Sequence, residues 1–199
     1  MEFPPDGSSD SPVAVSAAPA AADAQASTRS LGAVLQDYLV LAKPEISSVV
    51  TLSAFAGFLV GSPAGLDGGV LFWTMLGTAL CAGGVGMLNH VLERRYDARM
   101  KRTAARPLPA GRVDPDAARR VGLLLVCLAV GLLCPLVNAL TAILAALTAV
   151  LYLFVYTPLK RVTKWNTLIG TVPGALPALG GYTAATGHLG TGGWAMFGI

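Results

Sequence analysis

Asn89, Glu93 and Asp97 stand at i, i+4 and i+8 in the stretch NHVLERRYDARMKRTAARPLPAGR, residues 89–112. Four helical steps return to one face with a drift of about 40°, so a helix here lines three oxygen-bearing side chains along one stripe. Two carboxylates one turn apart repel each other, more strongly where the dielectric constant is low. A cation is needed among them, and two sources are open. Nearby arginines can neutralise the acids and leave a basic anchor at a membrane surface. Alternatively the cation is Mg²⁺, which takes oxygen ligands, is usually held by one or two carboxylates and completes its shell with water and substrate phosphate. The arginines would then grip phosphate oxygens with paired N–H donors. Metal plus arginines describes a diphosphate site, and such a cluster assists departure of diphosphate from an allylic chain by stabilising the leaving charge.

The elements that must carry this stripe are membrane helices. The chain has 199 residues, 54% apolar and only 13% charged, against about 25% charged in a soluble domain. Apolar runs long enough to cross a hydrocarbon core, about 20 residues each, predict spans near 46–64, 70–92, 117–135, 138–158 and 166–186, with a sixth beginning at about Trp194. Every span must be helical, because lipid offers no partner to an open backbone group. The fold class expected is therefore all-α, a multi-pass transmembrane helical bundle, its close packing helped by frequent Gly and Ala. Pro135 and Asn138 in CPLVN predict a tight hairpin between the third and fourth spans.

Residues 1–42 differ in kind, being rich in Ala, Ser, Pro and Asp without apolar periodicity. They read as a disordered cytoplasmic tail, and their early acids and interrupting prolines fit neither a secretory signal nor a transit peptide. The loop between spans two and three holds nine of the fourteen basic residues. Lys43 precedes span one, and Lys160, Arg161 and Lys164 follow span four. Loops rich in Lys and Arg stay cytoplasmic, so the stripe faces that side. Cys81, Cys127 and Cys134 lie unpaired in apolar runs and read as small core residues.

The segment 89–112 resembles the first Asp-rich motif of the UbiA superfamily of intramembrane prenyltransferases, in which Asn and two acids at four-residue spacing precede Arg-Thr-x-x-Arg-Pro-Leu-Pro. Within it, DARMKRT and YTPLKRVTKWNTLIGTVPGALPALGGYTAATG are similar to the protoheme IX farnesyltransferases. That resemblance implies transfer of a farnesyl group from farnesyl diphosphate to a vinyl group of haem b, dependent on Mg²⁺, in the cell inner membrane. It implies Asn89, Glu93 and Asp97 as metal ligands, with Arg102, Arg106, Lys160 and Lys43 at the diphosphate and Tyr156 near the allylic cation. Haem A synthase or terminal oxidase assembly components are the protein partners it suggests; nothing points to nucleic acid. By itself Tyr156 also reads as an interfacial anchor, and Lys160 as a residue of topology, the role expected too for Lys101, Arg161 and Lys164. His90 and His188 read as structural or exposed. An aromatic acceptor such as 4-hydroxybenzoate, or a non-catalytic scaffold or transporter, are the alternative functions. The family completes its diphosphate site with a second acidic motif that is not reached before GGWAMFGI. The 199 residues alone are therefore expected to show little or no activity.

Overall fold

The computed structural model describes residues 30–198, and every regular element among them is a helix. α1 covers Leu31–Leu41, α2 Pro44–Val60, α3 Gly68–Asp97 and α4 Pro115–Leu136. α5 begins as Ala139–Val150, continues as a π-helical segment Leu151–Tyr156 and ends in Thr157–Leu159; α6 covers Asn166–Thr186 and α7 Thr191–Phe197.

Helix starts follow capping chemistry. Asp67, Asp114 and Asn138 accept hydrogen bonds from the first free amides of α3, α4 and α5, and Pro115 occupies the opening of α4. The expected hairpin forms: Pro135 lies in the last turn of α4, and Val137 and Asn138 alone separate the two helices. Asn138 also donates through Nδ2 to the carbonyl of Thr183 at 2.9 Å, fastening the hairpin to α6.

Among the described residues, three helices combine the length and apolarity needed to cross a bilayer: α3, α4 and α5, the last counted as Ala139–Leu159. A fourth span results if α1 and α2, bent by 53°, are taken together. α2 alone has 17 residues, just short of a straight crossing. The helix expected at 166–186 is present with 21 residues, but it is not among the helices apolar enough to cross, its length carrying Asn166, Pro173, Pro177 and several glycines. The tail assigned to 1–42 lies mostly outside the described residues. Its final stretch departs from expectation, because Leu31–Leu41 is helical and capped by the Ser30 side chain.

Small residues set the packing. A Cβ on Gly57 would run into the Ala178 carbonyl, and one on Gly181 into the Ala54 carbonyl, so α2 and α6 cross backbone to backbone. Large apolar side chains such as Leu124, Ile143, Phe154 and Leu168 are exposed, as suits helices whose solvent is lipid. The cysteines divide accordingly. Cys81 is buried, while Cys127 and Cys134 are exposed on α4, outside the core that the sequence suggested for all three. These crossings bring one end of each long helix together: the C-termini of α1, α3 and α5, the N-termini of α2 and α6, and the loop 98–114.

Candidate functional site

The C-terminal turns of α3 present the stripe. Asn89, Glu93 and Asp97 are all buried, at 1%, 9% and 3% exposure. Asn89 donates through Nδ2 to Glu93 Oε2 at 2.9 Å, and its own Oδ1 accepts from the Thr157 hydroxyl at 3.0 Å. The single Thr157 hydroxyl proton is shared with the Tyr152 carbonyl at 2.8 Å, and the bond from Nδ2 to Glu93 orients the amide. Glu93 Oε1 faces Lys160 Nζ at 2.6 Å and accepts from Arg161 Nη2 at 2.8 Å. Arg161 also lies with its guanidinium carbon 3.5 Å from the ring centroid of Tyr96, one turn from Glu93 on the same helix.

Asp97 is held from the loop. Arg106 Nη1 donates to its Oδ2 at 2.9 Å, and Thr103 donates to its backbone carbonyl at 2.8 Å. His90 Nδ1 stands 3.8 Å from the same Oδ2, too far for a hydrogen bond, and has no hydrogen-bond partner among the described residues. Lys43 joins the cluster within electrostatic range of Glu93, Asp97, Lys160 and Arg106. Among the described residues it is the one non-glycine with positive φ, 50°. This left-handed joint turns the chain between α1 and α2.

Four cations, Lys43, Arg106, Lys160 and Arg161, therefore surround two carboxylates, Glu93 and Asp97. The excess is positive, and it adjoins a cavity of about 450 Å³ between α2, α3, α5 and α6, which Lys43 lines directly and Lys160 approaches through the Tyr156 ring, 5.7 Å from its Nζ. Lys43, Tyr152, Tyr156 and Asn166 are among its polar lining, while Ile46, Val50, Val85, Leu144 and Leu176 are among its apolar walls. The π-helical segment supplies both tyrosines, whose ring centroids are 5.2 Å apart. An i→i+5 turn of this kind re-aims the residues that follow it, here Thr157, Lys160 and Arg161. Gly170 lets Tyr156 lie against α6, since a Cβ there would come within 2.8 Å of the ring.

Most of the expected residues meet in this cluster: Lys43, Asn89, Glu93, Asp97, Arg106, Tyr156 and Lys160. Arg102 does not join it. It is exposed and forms no ion pair with another described residue. His188 is exposed in the loop before α7, whereas His90 is buried beside Asp97. Two participants were not legible as such. Arg161 was read as a topology residue, and Thr157 carried no signal at all.

Arg106 pairs with Asp97, and Lys160 and Arg161 pair with Glu93. The donor set also suits Mg²⁺, being oxygen only with two carboxylates, the complement of an ion that takes its other ligands from phosphate and water. No group of three or more His, Cys, Asp or Glu side chains able to hold a metal by themselves occurs among the described residues.

Comparison with known proteins bears on this arrangement. The chain is 88% identical over 166 residues to a protoheme IX farnesyltransferase of Salinibacter ruber, covering 83% of this chain and 59% of that protein. It is 44% identical to one from Anaeromyxobacter sp., covering 88% and 60%, and 42% identical to one from Opitutus terrae, covering 86% and 58%. The chain thus spans about three-fifths of the length of these relatives. A solved structure described as digeranylgeranylglyceryl phosphate synthase superposes with a TM-score of 0.69 at 19% identity, over 75% of this chain and 53% of that one. It shares the fold, a multi-pass membrane helical bundle. Residues 50–199 match the UbiA prenyltransferase family, and the chain belongs to that family.

Proposed function

We propose that this chain supplies the prenyl-diphosphate half of a Mg²⁺-dependent prenyltransferase that moves a farnesyl group from farnesyl diphosphate to a vinyl group of haem b. The observation that carries the proposal is the pairing of an apolar cavity of about 450 Å³, lined by Lys43, with an adjoining cluster in which cations outnumber carboxylates. A polyprenyl diphosphate has the matching shape, an apolar chain with a multiply charged head. The names of the relatives support haem as acceptor.

In this scheme Lys43, Arg106, Lys160 and Arg161 bind the diphosphate oxygens, relinquishing part of their hold on Glu93 and Asp97. Those two carboxylates with Asn89 would hold Mg²⁺, which supplies further neutralisation of the leaving charge. The C1–O bond of the farnesyl group breaks and the electron pair leaves with the diphosphate. The apolar walls keep water from the allylic cation, and the rings of Tyr152 and Tyr156 stabilise it through their π density. C1 then bonds to the terminal vinyl carbon, and the resulting cation takes up water and loses a proton to give a hydroxyethylfarnesyl side chain. In this reading the site faces the cytoplasm at the cell inner membrane, a side supported by the Lys- and Arg-rich loops.

A chimaera tests the activity directly. The matching segment of the Salinibacter ruber relative is replaced by that of this chain, the membrane protein is supplied with farnesyl diphosphate, Mg²⁺ and both haem b and 4-hydroxybenzoate as acceptors, and the products are identified by mass. Farnesylated, hydrated haem is the expected product. An inserted chimaera that yields none, or that prenylates 4-hydroxybenzoate instead, contradicts the reading.

A further inference from the structure

Asp37 and Arg112 lie 75 positions apart and meet as an ion pair, Arg112 Nε to Asp37 Oδ1 at 3.1 Å. Asp37 is the single acid in α1, LGAVLQDYLVL, and is 7% exposed. The opposite face of that helix, with Leu31, Leu35 and Leu39, is exposed. Turning an aspartate inward from so apolar a helix is unfavourable unless the charge is matched, and here Arg112 matches it. Arg112 has a second hold, because its Nη1 donates to the Ala105 carbonyl at 3.1 Å. The next residue, Arg106, is the one that grips Asp97.

The backbone of the loop between α3 and α4 is organised by turns. Arg106 N–H donates to the Thr103 carbonyl, Ala110 N–H to that of Arg106 and Arg112 N–H to that of Pro107. Leu108 and Val113 are its buried apolar contacts, packed with Leu41 at the end of α1 and with Met87 and Ala118. One wall of the loop's seat is thus α1 itself. The path from Asp37 through Arg112 and the Ala105 carbonyl ends one residue from a cation of the site.

We propose that Asp37 is a positioning residue: through Arg112 it fixes the loop 98–114 on α1 and so sets where Arg106 meets a diphosphate. The inference rests on the diphosphate reading above, and its test separates the two. The purified 199-residue chain in lipid nanodiscs is compared with Asp37→Asn, Arg112→Lys and the double variant. Amide hydrogen exchange of 98–114 reports the clamp without any ligand, and calorimetry with farnesyl diphosphate and Mg²⁺ reports its consequence. Asp37→Asn should speed exchange in the loop while that of α4 stays unchanged, and should weaken binding by about three- to tenfold. Arg112→Lys keeps the charge but cannot serve both Asp37 and Ala105, so it should do the same even if Asp37→Asn fails to insert. The double variant should be no worse than the more affected single one. Unchanged loop exchange in both singles, faster exchange with unchanged affinity, or additive losses in the double variant would each overturn the clamp. A wild-type chain that binds no farnesyl diphosphate contradicts the diphosphate reading instead, and the exchange comparison still decides whether Asp37 holds the loop.

Discussion

Lys160 Nζ stands 2.6 Å from Glu93 Oε1, tying the end of α5 to the end of α3 beside the cavity. Arg161 shares the same oxygen. Replacing the carboxylate by an amide leaves two cations facing each other with side-chain exposures of only 24% and 28%. Glu93→Gln should therefore cost about 1–2 kcal/mol after allowance for solvent screening. Thermal unfolding in detergent measures that loss.

Thr157 acts through Asn89, and its hydroxyl is the part that matters. Thr157→Val keeps the shape and volume but leaves Asn89 Oδ1 without its donor, so turnover in the chimaera should fall by about tenfold with binding of farnesyl diphosphate little changed. Thr157→Ser should restore it. Equal losses in Val and Ser variants would mean that packing, not the hydrogen bond, is at work.

Arg161 has two contacts that lysine cannot both reproduce, the hydrogen bond to Glu93 and the stack on Tyr96. Arg161→Lys and Tyr96→Leu should show a coupling of about 0.5–1 kcal/mol in a double-mutant cycle on stability. Strict additivity would show that the stack contributes nothing.

Lys43 combines a strained backbone with a charged side chain. Glycine adopts its φ of 50° without penalty, so Lys43→Gly should leave stability unchanged or raise it by up to about 1 kcal/mol. Binding of farnesyl diphosphate should nonetheless weaken, because the amine is gone. Opposite signs in unfolding and calorimetry are the signature; parallel losses would assign Lys43 a structural role alone.

The cavity should measure the chain it accepts. Ala145 lines its wall on α5, and Ala145→Phe takes up space that the third isoprene unit would need. The variant should shift preference from farnesyl towards geranyl diphosphate in competitive binding. An unchanged preference would place the chain elsewhere.

The legible parts of this fold were those governed by local periodicity. A 3.6-residue repeat puts Asn89, Glu93 and Asp97 on one face whatever surrounds them, and Pro135 with Asn138 makes a hairpin by local chemistry alone. Arg161 escaped because three basic residues in KRVTK look alike on paper; which of them turns inward depends on the register shift of the π-helical segment Leu151–Tyr156. Thr157 reaches Asn89, and Asp37 reaches Arg112, across 68 and 75 positions, distances over which one sequence carries no pairing signal. α1 reads as part of the tail because 11 residues are too few to cross a membrane by themselves, and its partners, the loop 98–114 and the ends of α3 and α4, lie far along the chain.

The cluster at the end of α3 is proposed to bind a prenyl diphosphate through metal and cations together. Calorimetric titration of farnesyl diphosphate into the 199-residue chain in nanodiscs, with Mg²⁺ and then with EDTA, addresses it most directly. Affinity should drop by more than about tenfold on removing Mg²⁺, and Glu93→Gln and Asp97→Asn should each abolish that metal dependence. Binding that ignores Mg²⁺, or that survives both substitutions with its metal dependence intact, would contradict it.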